Sequence, residues 1–274
     1  MKTKILLSVI WLALLPVKAI SQHRGVADNS FFLEEAYNQE DRVVQHIISV
    51  TIPAHRVDQG TISFTEEVPL SGQKHQLALT IPYEVREFYE DGMGDLSIHY
   101  RYQLLPATDR FAMSPRLSVM YGSTIGSAGV YDAALGFELG IPVSAQIGNR
   151  LDLHLNASAA CWPNADFDGV TFGVDCEPNY ESETLFDLRA GAGLIWHVSR
   201  NLNSLLEVVY TAEDTRFLAL PGFTSSVITS PGARAAINIG SLQVVPGFAV
   251  PIEFSDGGHI KVGYFFYLSL EHPY

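Results

Sequence analysis

Apolar and polar residues alternate with a period of two over most of this chain. From residue 75 to 86, Leu77, Leu79, Ile81, Tyr83 and Val85 interleave with Gln76, Ala78, Thr80, Pro82, Glu84 and Arg86. The next segment sets Leu96, Ile98, Tyr100, Tyr102 and Leu104 against Asp95, Ser97, His99, Arg101 and Gln103. Further on, Leu117, Val119 and Tyr121 oppose Arg116 and Ser118, Leu135, Phe137, Leu139 and Ile141 oppose Glu138, and Leu151, Leu153 and Leu155 oppose Asp152 and His154. A strand sends successive side chains to opposite faces, so each segment is a strand with one apolar and one polar face.

The pattern predicts twelve strands, at residues 43–54, 60–68, 74–86, 94–105, 110–122, 129–143, 149–160, 184–198, 201–212, 231–239, 242–253 and 258–274. Connections after even strands are brief. Both long ones, 161–183 and 213–230, follow odd strands. Short turns on one side and long loops on the other are the asymmetry of an outer-membrane barrel, whereas a soluble sandwich has no reason to sort loops by parity. The expected fold is therefore all-β, a closed antiparallel transmembrane barrel. No apolar run after residue 21 is long enough for a spanning helix, and lipid offers unpaired strand edges no partners, which leaves a closed barrel as the only way across.

The ends of the chain fit this reading. Lys2 and Lys4 precede an apolar stretch from Ile5 to Leu15 and the small-residue pattern Ala19-Ile20-Ser21, so residues 1–21 read as a secretory signal. Residues 22–42 are expected to form a periplasmic or plug segment, and 43–274 the barrel. The last strand places Phe266, Leu268, Leu270 and Tyr274 on one face, a terminal pattern that resembles the signal read by barrel-assembly machinery. Outer-membrane lipids and that machinery are the expected partners.

Charge narrows the function. The chain carries a formal net charge of −13, and loss of Lys2, Lys4 and Lys18 with the signal makes it −16. A nucleic-acid partner is excluded in practice, because phosphate binding needs clustered Lys and Arg. No hydrolase, Walker or dinucleotide fingerprint is present, so no cofactor is expected. An embedded lipid hydrolase would need a His and a Ser at the lipid-facing rim, and by parity His46 and Ser204 fall on the outward face but on strands far apart in order.

Residues 30–105 carry a further resemblance. Glu34-Glu35-Ala36-Tyr37-Asn38-Gln39-Glu40 with Val43-Val44-Gln45-His46-Ile47, then Gly72-Gln73-Lys74-His75-Gln76-Leu77, Ile81-Pro82-Tyr83 and Gly92-Met93-Gly94-Asp95 before Tyr100-Arg101-Tyr102 are similar to outer-membrane proteins named for the MetA pathway of phenol degradation. That resemblance implies a barrel that admits small hydrophobic or aromatic compounds. The expected function is thus a channel for passive uptake of such solutes. The alternative is a structural or interaction barrel with a closed lumen.

The candidate lumen lining is the inward set His99, Arg101, Arg116, Glu138, Arg150, Asp152, His154, Arg189, Glu207 and Arg234, in which both signs interleave. It reads either as a bracing network of ion pairs or as a guide for solute. The acidic, aromatic stretch before the first strand, with Phe31, Phe32, Glu34, Glu35 and Tyr37, is a candidate plug that could fold inward and pair with Arg101 or Arg116. Cys161 and Cys176 are expected to form a disulfide across an external loop, as an even pair in an exported chain does. In the same loop Asn164, Asp166, Asp168, Gly169 and Asp175 match a calcium-loop template only loosely, so no metal site is assigned. Phe217, Leu218, Leu220 and Phe223 in the other long loop read as an apolar greeting surface or a cap.

Overall fold

The computed structural model describes residues 30–70, 72–86, 91–105, 111–122, 131–132, 135–167, 183–214 and 222–274. The expected signal segment, the Phe217 to Leu220 stretch, and Asp168, Gly169, Asp175 and Cys176 lie outside them.

Twelve antiparallel staves form one closed sheet. They are β1 (Val43–Pro53), β2 (Gly60–Pro69), β3 (His75–Val85), β4 (Leu96–Tyr102, preceded by Gly92–Met93), β5 (Phe111–Met113 and Arg116–Tyr121), β6 (Leu135–Ile147, preceded by Tyr131–Asp132), β7 (Leu151–Phe167), β8 (Glu183–His197), β9 (Leu202–Asp214), β10 (Phe223–Ala235, continued by Ile237–Ile239), β11 (Leu242–Ala249 and Ile252–Ser255) and β12 (His259–Pro273). Each pairs with its neighbours in sequence, and β12 closes on β1 from Val43 opposite Pro273 to Pro53 opposite Gly263. Closure removes the free edges that lipid could not satisfy. Prolines mark the interruptions: β5 breaks at Pro115 and β11 at Pro251, because proline brings no N–H to the ladder.

The alternation maps onto this wall. Leu117, Leu139, Leu155, Leu188, Leu206 and Phe266 point outward and are exposed, as are Val119, Phe137, Ile141, Phe186, Val208 and Tyr264 on the same faces, so the outside of the barrel is an apolar belt. Aromatic residues gather toward the strand ends, with Tyr83, Tyr121, Phe223 and Phe254 at one rim and Phe111, Trp196 and Tyr274 at the other. In water such a surface would be a severe liability, whereas against acyl chains it is the stable arrangement.

Three boundaries differ from the sequence expectation. β7 runs on to Phe167 and β10 starts at Phe223, so part of each presumed long loop is strand. The added part of β10, Thr224 to Ser230, is rich in Ser and Thr on both faces and shows no alternation to detect, yet its ladder to β9 is unbroken. Residue 150 is the third case. Gly148, with φ 70°, turns the chain between β6 and β7, and Arg150 sits exposed in that turn instead of in the lumen. Cys161 faces outward on β7, opposite Phe137 and Phe186, and carries no disulfide among the described residues.

The lipid-facing belt is open to direct test at Leu139, midway along β6 and 56% exposed. Leu139→Arg is expected to lower stability by about 2–4 kcal/mol. Urea unfolding in lipid vesicles measures it.

Candidate functional site

The functional side chains line the lumen, and what organises them is the chain before β1. Residues 30–42 form a strap that runs inside the barrel, passes the inner wall of β9, β7, β6, β4 and β3 in turn, and leaves the lumen where β1 begins. The strap belongs to no sheet, so its peptide groups need other partners. Lumen side chains supply them.

Glu207, at mid-height on β9, accepts the backbone N–H groups of Phe31, Phe32 and Leu33 on one carboxylate oxygen, at 3.1, 3.0 and 3.1 Å. Hydrogen bonds to a charged acceptor contribute about 1.5–3 kcal/mol each, which makes this carboxylate the main anchor of the strap. Amide and hydroxyl side chains hold the rest. Asn156 accepts from the Glu34 N–H at 2.8 Å and donates to the Glu34 carbonyl at 2.7 Å. Ser144 takes the Ala36 N–H at 2.8 Å, Gln103 the Asn38 N–H at 2.9 Å and Gln76 the Gln39 N–H at 2.7 Å. Arg101 donates to the carbonyls of Glu35 and Tyr37, and Arg189 to that of Phe32.

Apolar contacts seat the upper end of the strap. Phe31 and Phe32 pack with tilted rings, at centroid distances of 5.0 to 5.3 Å, on Phe265 and Tyr267, two inward residues of β12. Behind those rings lie buried Val245, Ala249 and Ala236. The wall is cut to receive the strap. A Cβ on Gly247 would come within 2.6 Å of the Phe31 ring, and one on Gly191 within 2.5 Å of Leu33 Cδ2.

Cross-strand register arranges the charges in two adjoining rows. In the lower, Arg189 on β8 lies opposite Ser158 on β7, then Gly140 on β6, Arg116 on β5 and Arg101 on β4. The upper row reads Glu213, Asp187, Ala160, Glu138, Ser118, His99 over the same walls. Arg101 directly opposite Arg116 is a like-charge pair, destabilising by itself. The strap resolves it, because the Glu34 carboxylate lies between the two, 3.0 Å from Arg101 and in contact with Arg116. Glu138 completes the neutralisation at 2.8 Å from Arg116.

Lower in the barrel the remaining polar groups are braced. Buried Asp152 pairs with His197 at 2.7 Å, and buried His154 bonds Ser144 at 2.7 Å. In the upper row His99 bonds Ser118 at 2.8 Å. Arg234 is buried in the register row of Asn203, Gly247 and Tyr267. The candidate lumen residues thus lie inside, with Arg150 the exception, and Phe31, Phe32, Glu34, Glu35 and Tyr37 lie on the strap. Sequence reasoning missed the uncharged latches Gln45, Gln76, Gln103, Asn156 and Ser144. Inward amides in so polar a pattern were the available signal, since they can both donate and accept along a peptide backbone.

The strap does not fill the lumen. A cavity of about 440 Å³ remains between it and the wall of β1 to β4. Ser49, Thr51, Ser63, Thr65 and Thr80 form one side, and the strap, Phe265, Tyr267 and the three arginines the other. Small hydroxyl side chains on β1 to β3 leave room where larger ones would close it.

His46 and Ser204 do not meet. His46 faces outward on β1, 3.1 Å from His272, and Ser204 faces outward on β9, opposite Trp196 and Ala233. The staves β10, β11 and β12 separate them.

The solved structures similar to this one are outer-membrane barrels. The NanC porin matches with a TM-score of 0.52 at 6% identity, over 84% of this chain and 100% of the porin. An outer membrane channel from Pseudomonas putida F1 gives 0.54 at 11% identity, over 87% of this chain and 98% of that one. At these identities the likeness is one of fold. No family model and no curated protein matches the chain. Fold and apolar belt together place the protein in the bacterial outer membrane.

If Glu207 anchors the strap, Glu207→Ala frees three adjacent amides at once. Limited proteolysis of the folded variant in detergent is expected to cut within residues 30–42 at least tenfold faster than in the parent, while the barrel keeps its heat-modifiable mobility on gels. Equal cutting rates would place the anchor elsewhere.

Proposed function

We propose that this protein is a passive outer-membrane channel for small hydrophobic or aromatic compounds, narrowed by its own N-terminal strap. The observation that carries the reading is the cavity beside the strap, bounded by the hydroxyl-lined wall of β1 to β3. A barrel built only as a structural post has no reason to keep small side chains there while larger inward residues pack elsewhere. The proteins of similar fold include a porin and an outer membrane channel, which supports the same reading. So does the resemblance of residues 30–105 to proteins named for phenol degradation, with Glu34, Arg101 and Gln76 inside the stretch that carries it.

The solute class follows from the aromatic lining. Phe31, Phe32, Phe265 and Tyr267 present ring faces and edges to the cavity, so a flat apolar solute gains contact there that a sugar does not. Passage needs no bound cofactor and no energy source. The polar rows keep the path hydrated, and the strap sets its width. On this reading Tyr274, whose N–H bonds the Arg42 carbonyl at the β1–β12 seam, belongs to the element that barrel-assembly machinery engages.

A second reading keeps its place because of one observation: the strap is bonded to β3, β4 and each stave from β6 to β9 and packed at its aromatic end, an arrangement also suited to a permanently closed barrel. Liposome permeation separates the two. For the intact protein, catechol influx corrected for protein-free vesicles is expected to exceed that of ribose. Glu207→Ala is expected to raise both rates severalfold by releasing the strap. Leak-level rates for both solutes in both proteins would establish the closed barrel.

A further inference from the structure

We propose that the cavity is a binding site for a small aromatic carboxylate, held by Arg189 at its charged end and by the Phe265 and Tyr267 rings at its apolar end. The inference deepens the channel reading and rests on it for the route by which the ligand arrives.

Three guanidinium groups border the cavity, and their partners differ. Arg101 is paired with Glu34, and Arg116 with Glu34 and Glu138. Arg189 stands in the same register row, beyond the small residues Gly140 and Ser158, and its hydrogen-bond partner among the described residues is the neutral carbonyl of Phe32. It is also exposed, although its strand neighbours Leu185 and Ile195 on the inward face are buried.

The acids that border the cavity are already engaged. Glu34 lies between two arginines, Glu35 takes the Ser30 N–H, and Glu67 takes the Gln76 amide at 2.8 Å. Arg189 therefore borders the cavity with no carboxylate in ion-pair contact among the described residues, while Glu138, Glu207 and Glu213 attract it from farther away. A planar fork of donors beside a hydrated space selects carboxylate geometry over a spherical anion.

The body of the ligand is set by the rest of the lining. Rings from the strap and from β12 lie on one side and hydroxyls of β1 to β3 on the other, so a flat apolar body meets rings while its edge meets hydroxyls. At about 440 Å³ the cavity falls within the range of small-molecule sites, roughly 300–1,000 Å³. The strap itself displays the chemistry: Glu34 is a carboxylate held by two arginines of this row, with Phe31 and Phe32 nearby on the rings.

Calorimetric titration of the detergent-solubilised protein, strap included, tests the site without any need for transport. The probes are benzoate, its uncharged analogue benzyl alcohol, and acetate. Benzoate is expected to bind saturably, with benzyl alcohol and acetate each at least tenfold weaker. Arg189→Gln is expected to weaken benzoate at least tenfold and leave benzyl alcohol unchanged, while Arg189→Lys, which keeps the charge, falls between. Heat-modifiable mobility checks that each variant is folded. No benzoate binding, equal binding of benzoate and benzyl alcohol, or an unchanged affinity in Arg189→Gln would overturn the proposal. Binding that persists in a protein without catechol permeation would fault the channel reading and leave the site standing. Permeation without benzoate binding would do the reverse.

Discussion

Hydrocarbon offers a peptide group no hydrogen-bond partner, and the rest of this structure depends on that constraint. It requires every strand edge to be paired, and the seam between β1 and β12 meets the requirement along the whole of β1. The seam also fixes the strap. β1 starts at Val43, against Pro273, and Arg42 adopts φ 61° just before it, a left-handed turn uncommon for a residue other than glycine. That turn brings the preceding chain from inside the barrel into the wall. The same constraint then recurs in the lumen. A strap that is not part of the sheet must find partners for its own backbone, and Glu207, Asn156, Ser144, Gln103 and Gln76 are placed to be those partners.

The strap and the wall are therefore complementary in two senses. Electrostatically, Glu34 neutralises an arginine pair that the register of β4 and β5 forces face to face. Sterically, Gly191 and Gly247 open the wall where Leu33 and Phe31 press against it. The cavity left beside the strap is bordered on β1 to β3 by Ser49, Thr51, Ser63, Thr65 and Thr80, together with Ile47, Glu67 and Gln76. On the proposed reading the strap narrows the pore without sealing it.

The fold was legible because the barrel writes one rule many times. Each crossing strand must be apolar outside, so alternation at Leu77 to Val85 or Leu135 to Ile141 carries the assignment directly, and loop parity gives the topology. Legibility failed where the rule does not apply. Thr224 to Ser230 extends β10 toward the rim with Ser and Thr on both faces, so it showed no period. The site was read in part. Inward charges follow from parity, and Glu34 makes the expected pairing with Arg101 and Arg116, but the amide latches that hold the rest of the strap depend on where a segment without periodicity runs. Arg150 fell to the turn because a single glycine, Gly148, ends the strand before it. Val209, Leu205 and Val245 are inward and apolar, against the pattern, because the strap brings its own apolar side chains into the lumen.

The central claim is that solute passes between the strap and the wall of β1 to β3. Ser63 is half-buried on β2 and borders that space, and Ser63→Cys replaces one small side chain by another of similar size. The measurement is single-channel current in a planar bilayer, with Cys161 and Cys176 replaced by Ser, before and after a charged, membrane-impermeant methanethiosulfonate reagent. The account expects a small, steady current that drops stepwise when the thiol introduced by Ser63→Cys is modified and is unaffected in the parent without that thiol. A current indifferent to modification of that thiol, or no current from the unmodified protein, would contradict it.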